Sequence, residues 1–176
     1  KKANRQGERL FMPKPPADPS TDTQTRERET VANMLRALPG SGIRKVVAES
    51  TFGARPGDMI GDLNVLFEME EGLKRSGIPV SIIRAAYYMS NWDASVTSAR
   101  DEAIVHTFFP PDLKIPMVAP RDLSEVAARL ITAPVEQTIS GVAWRCDGAD
   151  CQGAAARKGN LDGLVRECKK VVAVIG

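Results

Sequence analysis

Residues 45–83 read KVVAESTFGARPGDMIGDLNVLFEMEEGLKRSGIPVSII, and this segment carries the strongest signal of secondary structure in the chain. It opens with a short run rich in β-branched residues, passes through a glycine-containing loop and an amphipathic segment, and ends in a second β-branched run. The apolar residues at 63, 66, 67 and 73 share one face of a helix that starts at Asp62 and ends near Ser76, before Gly77. Strand, helix and strand in this order predict a parallel sheet covered by helices.

The same alternation continues on both sides of this stretch. Upstream, the apolar run Leu10–Met12 ends at a proline-rich loop, and a helix follows that starts with capping-box spacing at Thr21 and Gln24 and stops at Pro39. Downstream, residues 122–131 have helical apolar periodicity, residues 139–145 have the pattern of a strand, and a small helix is predicted near 161–168. The predicted fold class is therefore α/β, with a parallel sheet flanked by helices.

Composition excludes several classes of function. The chain has 176 residues, 43% of them hydrophobic and 26% charged, as expected of one globular domain. Its net charge of +2 comes from interspersed acids and bases, so we expect no nucleic-acid partner. No apolar run approaches the roughly 20 residues that span a bilayer, so we expect no membrane association.

The three cysteines lie near the C-terminal end, at 146, 151 and 168. An odd number without a paired C-x-x-C spacing predicts neither a disulfide framework nor a zinc site, and we expect no bound metal. Reduced thiols are typical of the cytoplasm, which is the location we expect. His106, the one histidine, has no catalytic partner that the sequence reveals, and the acidic residues between 58 and 71 are interpreted as a solvated face.

Ligands of parallel α/β sheets bind beyond the carboxyl ends of the strands, so the residues there are candidate site residues. They form three groups, one after each predicted strand: Met12 and Pro13; Ser50, Thr51 and Phe52; and Arg84, Ala85, Ala86 and Tyr87. A hydroxyl pair after a strand can donate to a ribose or carbonyl oxygen of a ligand, or it can cap the local turn. The residues alone leave both interpretations of Ser50 and Thr51 open.

Aromatic residues cluster just after the third strand, where six positions hold both tyrosines and one of the two tryptophans. Aromatic faces beside an amide suit a flat ring ligand, so the candidate substrate pocket consists of Tyr87, Tyr88, Asn91 and Trp92. The simpler alternative, in which these side chains only pack the loop onto the core, stays open.

The sequence contains no compact pyrophosphate-binding turn. Such a turn is rich in glycine and joins the first strand to the first helix, where backbone N–H groups reach the phosphates. Gly40 and Gly42 follow a helix and precede a strand, which is the reverse order, and the glycines at 53, 57 and 61 are too widely spaced. The cofactor-binding cradle of a dinucleotide enzyme is therefore missing.

Five segments carry a family resemblance: VVAESTFGA at 46–54, EEGL at 70–73, GIPVSIIR at 77–84, AYYMSN at 86–91 and PMVAPRDL at 116–123. Over about residues 9–133, the chain resembles the NmrA-like NAD(P)-binding proteins in the order and spacing of these segments. These are atypical short-chain dehydrogenases/reductases, and they include NAD(P)H-dependent quinone and azo-dye reductases as well as non-catalytic redox sensors.

The resemblance implies a partial Rossmann-like sheet, a small C-terminal region on the substrate side, and NADP or NAD as the cofactor. It implies that Met12 and Pro13 lie near the nicotinamide, that Ser50 holds the position of the catalytic serine, and that Tyr87 and Asn91 face the nicotinamide and a small-molecule substrate, possibly a quinone. The Tyr-x-x-x-Lys pair of ordinary family members is absent. Two functions therefore stay open: an NAD(P)H-dependent oxidoreductase or its truncated remnant, and a non-catalytic redox-sensing or regulatory binding module.

The resemblance is incomplete at both ends. The first three strands and the glycine motif of the family would precede Leu10, and beyond Gly141 the likeness fades. We therefore divide the chain into an NmrA-like NAD(P)-binding domain at 1–140, without its N-terminal half, and a divergent tail at 141–176. In the family the fourth strand pairs with the first, so we expect an exposed sheet edge. Three outcomes stay open: a homodimer through this edge, pairing of the edge with the chain's own tail, or poor folding.

Overall fold

The computed structural model describes residues 7–107, 109–110 and 115–134, together with the backbone of two strands at 138–145 and 169–174. The elements in chain order are β1 (Arg9–Met12), α1 (Thr23–Ala37), β2 (Lys45–Thr51), α2 (Asp62–Lys74), β3 (Val80–Ala85), β4 (Tyr87–Tyr88), a 3-10 helix (Met89–Ser95), α3 (Val96–Asp101), β5 (Met117–Val118), α4 (Pro120–Thr132), β6 (Thr138–Arg145) and β7 (Lys169–Val174).

The main sheet is parallel, as predicted. Strands β1, β2, β3 and β6 are hydrogen-bonded in that order and all run in the same direction. β7 lies antiparallel to β6, and the short parallel pair of β4 and β5 joins the sheet through β5, which is antiparallel to β6. The α/β fold class is confirmed.

One edge of the sheet is formed by β1, which pairs only with β2 in the part of the chain that the structure describes. The Phe11 side chain on this strand is 39% exposed. A homodimer through this edge stays a prediction. At the other end, the boundary proposed after residue 140 falls inside β6, and the division into a domain and a tail also stays a prediction. The helix predicted near 161–168 and the three cysteines lie outside the described residues.

Two apolar clusters cover the two faces of the sheet, because successive side chains of a strand point in opposite directions. Val46 and Ala48 pack with α1 and α2 on one face, while Val47 packs with α4 on the other. Ser50 therefore lies on the face of α2, and Glu49 on the face of α4.

The helix boundaries follow local chemistry. The N-cap of α1 is Asp22, whose carboxylate accepts from the Thr25 backbone N–H at 3.2 Å, so the predicted cap at Thr21 was one residue early. α2 begins at Asp62 as predicted and ends at Lys74, slightly before the expected position. Within the described residues, no helix is long and apolar enough to cross a membrane.

Candidate functional site

A cleft of about 320 Å³ lies at the carboxyl ends of the central strands. β2 and β3 are in parallel register there, with Ser50 opposite Arg84 and Thr51 opposite Ala85. The lining comes from four segments, which are the β1–α1 loop, the end of β2, the start of α2 and the segment after β3: Lys14, Pro16, Glu49, Ser50, Thr51, Asp62, Leu63, Leu66, Ala85, Ala86, Tyr87, Tyr88 and Asn91.

Seven of the predicted site residues line this cleft: Ser50, Thr51, Ala85, Ala86, Tyr87, Tyr88 and Asn91. The others lie elsewhere. Met12 is buried in the core, Pro13 is exposed, and Phe52 packs against the apolar cluster of α4. Arg84 and Trp92 do not line the cleft. Arg84 contacts Glu70 of α2, and Trp92 contacts Tyr87. Their roles toward a ligand stay predictions.

Sequence reasoning missed three charged lining residues, Lys14, Glu49 and Asp62. Lys14 lies two residues beyond β1, so its position at the carboxyl edge followed from the same rule that selected Met12 and Pro13. Glu49 was counted as part of a strand, and Asp62 as part of a solvated helix face. Neither assignment indicated a place in the cleft, because that depends on how the strand and helix pack.

A buried carboxylate organises the wall of the cleft on the α2 side. Glu70 is fully buried, and its carboxylate accepts from Ser50 Oγ at 2.6 Å and from Arg84 at 2.9 and 2.7 Å. The interpretation of the acidic residues as a solvated face was therefore wrong for Glu70. The helical spacing could have indicated its burial, because Glu70 lies four residues after Leu66 and three before Leu73, on the inward side of α2.

This network fixes the chemistry of Ser50. The bidentate hydrogen bonds to Glu70 hold the pKa of Arg84 above its ordinary value, and Ser50 Oγ donates to the same carboxylate. Because the hydroxyl hydrogen points at Glu70, the Ser50 oxygen faces a ligand only as a hydrogen-bond acceptor.

A second carboxylate engages Tyr88. The Tyr88 hydroxyl donates to Glu49 Oε1, and both residues line the cleft. Burial and, to a lesser degree, this carboxylate raise the pKa of Tyr88 well above its ordinary value. The phenol therefore stays protonated across the physiological range, with its proton directed at Glu49.

A group of three charges lies at the start of α2 and the β1–α1 loop. The Lys14 ammonium is 2.9 Å from Glu27 Oε2 and 3.5 Å from Asp62 Oδ1, and the side chains of Lys14 and Glu27 are only 5% and 6% exposed. Glu27 also accepts from the Ala17 backbone N–H at 3.1 Å. A hydrogen bond to Glu27, with burial, raises the pKa of Asp62, whereas hydrogen bonds from Asp62 and Lys14 lower that of Glu27 despite its burial. The two carboxylates are therefore coupled, and their pKa values move in opposite directions.

The aromatic cluster forms one side of the cleft. The Tyr87 ring meets Trp92 edge-on at 6.3 Å and Phe109 edge-on at 5.4 Å. Among the described residues, the Trp92 indole N–H is buried without a hydrogen-bond partner. Trp92 packs the loop, while Tyr87 and Tyr88 reach the cleft, and a flat ring ligand for them stays a prediction.

The size of the cleft limits what it can hold. A volume of about 320 Å³ is at the small end of the range for ligand pockets and suits one ring system with its sugar. No glycine-rich turn joins β1 to α1 or β2 to α2 in the compact form that binds a pyrophosphate.

Metal chemistry has no candidate here: across the described ranges, no cluster of His, Asp or Glu side chains could hold a metal ion. His106 is exposed, outside the cleft.

Residues 115–176 match a family of unknown function (DUF8200). No curated protein matches the sequence. Several solved structures do match in fold. A nucleoside-diphosphate-sugar epimerase from Staphylococcus aureus superimposes with a TM-score of 0.66 at 14% identity, over 90% of this chain and 57% of that one.

Two reductases give similar results. The triphenylmethane reductase of Citrobacter sp., solved with NADP(H), has a TM-score of 0.65 at 16% identity over 89% of this chain and 55% of that one. The NADPH-dependent quinone oxidoreductase of Escherichia coli, solved with NADPH, has a TM-score of 0.57 at 21% identity over 76% and 44%. The chain has a Rossmann-like fold. It spans about half the length of these structures.

Proposed function

We propose that this chain is part of an NmrA-like, NAD(P)H-dependent oxidoreductase and that its cleft receives the nicotinamide end of the cofactor together with a flat acceptor. The observation that carries the proposal is the convergence of Ser50, Thr51, Ala85, Ala86 and Tyr87, from two adjacent parallel strands, on one cleft at the carboxyl edge of the sheet. The fold neighbours solved with NAD, NADP(H) or NADPH support the same class of cofactor.

Each lining residue has a plausible task in such a site. The bound cofactor supplies hydride chemistry, and the protein supplies orientation and exclusion of water. Ser50, held as an acceptor by Glu70, suits an amide N–H such as that of a carboxamide. The small side chains of Ala85 and Ala86 leave room for a ring to lie against the end of β3, and Tyr87 offers an aromatic face.

A non-catalytic redox-sensing module is the second candidate, and one observation favours it. The hydroxyl protons of Ser50 and Tyr88 are both directed at carboxylates, so neither is free to protonate a neutral acceptor. A module of this kind would bind NADPH without turnover.

Turnover separates the two candidates. We expect the chain to oxidise NADPH, followed at the nicotinamide absorbance, when a panel of flat acceptors including quinones is added. The Ser50→Ala variant should lower affinity for NADPH by several-fold, because one directed hydrogen bond is worth roughly 1 kcal/mol. Binding of NADPH without oxidation by any acceptor would support the sensing module, and absence of binding would contradict both candidates.

A further inference from the structure

We propose that Glu70 is a positioning residue that determines which ligands the cleft prefers. By holding the Ser50 hydroxyl hydrogen, it makes this point of the cleft a hydrogen-bond acceptor and selects a ligand that brings an N–H donor to it. The inference deepens the proposed function and rests on it, since the ring placed in the cleft there carries a carboxamide. Two observations carry it, which are the hydrogen bonds of the buried carboxylate and the place of Ser50 in the lining.

The buried carboxylate has hydrogen-bond donors at both oxygens. Glu70 Oε1 accepts from Ser50 Oγ at 2.6 Å and from Arg84 Nε at 2.9 Å, and Oε2 accepts from the Arg84 guanidinium at 2.7 Å. Because both oxygens accept from Arg84, the hydrogen in the contact with Ser50 is the serine's own. A length of 2.6 Å is typical of a hydroxyl that donates to a charged acceptor, a bond roughly twice as strong as one between neutral groups.

The hydroxyl hydrogen of Ser50 is costly to turn toward the cleft. A serine hydroxyl has one hydrogen and two lone pairs. If its hydrogen turned to a ligand, two oxygens 2.6 Å apart would face each other with lone pairs alone, and the fully buried Glu70 would lose a donor. Ser50 is only 3% exposed, so water does not replace the lost bond. The serine oxygen is therefore held as an acceptor.

Ser50 connects this network to the ligand. It belongs to the lining of the cleft, whereas Glu70 and Arg84 do not. The parallel register of β2 and β3 sets Ser50 opposite Arg84, and α2 brings Glu70 against both side chains. Glu70 thus acts on a ligand through the serine and makes no contact of its own.

The same ion pair also joins α2 to β3, so it contributes to stability whatever the cleft binds. The two effects can be separated by experiment. A change that only loosens the wall lowers the affinity for all ligands of equal size and charge. Release of the Ser50 hydrogen instead changes the affinity for a ligand with an N–H donor relative to one without it, because a freed hydroxyl can donate to a carbonyl that both ligands carry.

The probes for this test are oxidised NADP and its 3-acetylpyridine analogue, in which a methyl ketone replaces the carboxamide. The two dinucleotides have the same charge, nearly the same size and the same carbonyl on the ring, but only NADP has the amide hydrogens. Calorimetric titration of the wild-type chain should show roughly fivefold to tenfold tighter binding of NADP, since the analogue lacks one hydrogen bond of ordinary strength. The ratio of the two affinities is the quantity compared below.

Two changes should make the two affinities equal. Ser50→Ala removes the acceptor, and Glu70→Leu combined with Arg84→Met frees the Ser50 hydrogen without leaving a buried charge unpaired. Adding Ser50→Ala to this double variant should change the ratio no further, because Glu70 acts through Ser50. A purely structural role of Glu70 would lower both affinities and keep the wild-type ratio.

The matched control is Glu71→Gln. It removes a carboxylate from the next residue of α2, which pairs with Lys74 and Arg75 outside the lining, and it should keep the wild-type ratio. A second measurement does not depend on any change at Glu70. Proton NMR of the wild-type chain should show a slowly exchanging hydroxyl signal that is missing from Ser50→Ala, and absence of this signal would overturn the inference.

The outcomes separate the inference from the proposed function. A preference for NADP that disappears in Ser50→Ala and in the double variant supports the inference. Equal binding of the two dinucleotides by the wild type, or a preference that persists in the double variant, overturns the inference and leaves the proposed cofactor site standing. Failure of the wild-type chain to bind either dinucleotide overturns the inference and the proposed function together.

Discussion

Replacing Glu70 by alanine is expected to lower the free energy of unfolding by about 3 kcal/mol. Loss of one partner of a buried ion pair typically costs about 3–5 kcal/mol, because the other charge is left uncompensated. The low end applies here, since the Arg84 side chain is 27% exposed and can recover some hydration, whereas that of Glu70 is fully buried. Urea unfolding followed by circular dichroism measures the change.

The adjacent residue provides the control. Glu71 is half-exposed and pairs with Lys74 at 2.8 Å on the surface of α2, so Glu71→Ala should cost less than about 1 kcal/mol. A double variant, Glu70→Leu with Arg84→Met, removes both charges and should recover most of the loss. Equal effects of the alanine substitutions at 70 and 71 would show that Glu70 is not the buried centre of the cleft wall.

Replacing Lys45 by alanine is expected to cost roughly 2–4 kcal/mol. Lys45 is only 1% exposed although it lies in β2, and its ammonium donates to the carbonyls of Ala133 and Pro134 at 3.3 and 2.9 Å. Truncation removes a buried aliphatic stem, which leaves a cavity, and it removes a cation from the C-terminal end of α4. Thermal unfolding should show the lower stability.

Lys74→Ala is the matched control for this change. Lys74 ends α2, is 41% exposed and contacts only Glu71 among the contacts described, so its loss should change the stability by less than about 1 kcal/mol. Lys45→Met tests the cause, since it keeps the stem and removes the charge. If Lys45→Met is as stable as the wild type, the loss of stability in Lys45→Ala comes from packing alone. That result would contradict a contribution of the Lys45 ammonium and its hydrogen bonds to the stability.

The sequence predicted the elements well where periodicity was strong. The apolar spacing of α2 and the β-branched runs of β2 and β3 depend on local pattern, and the structure confirms each. The parallel order of these strands followed from the alternation of strand and helix. The N-cap of α1 was predicted one residue early. Thr21 and Asp22 are both residue types that cap helices, and the local backbone geometry determines which of them does so.

The carboxylates of the site could not be assigned from the sequence. Glu70 and Glu71 are neighbours in the chain, yet the side chain of Glu70 is fully buried and that of Glu71 is 35% exposed. Their difference depends on the face of α2 that packs on the sheet and on Arg84, fourteen residues later in β3. Glu49 and Tyr88 likewise meet across 39 residues. Contacts of this kind form only when strands and helices pack together. Local sequence patterns therefore do not predict them.

Saturation-transfer NMR of NADPH with the wild-type chain measures which end of the cofactor lies in the cleft. Under the proposed function, the nicotinamide ring protons should receive the strongest transfer and the adenine protons less, because the cleft has the size of one ring system with its sugar and the described residues include no compact glycine-rich turn for the pyrophosphate. Ala86→Leu, which fills the cleft, should abolish the nicotinamide transfer, while Ala94→Leu, on an exposed residue outside the lining, should not. Strong transfer to the adenine alone, unaffected by Ala86→Leu, would contradict the account.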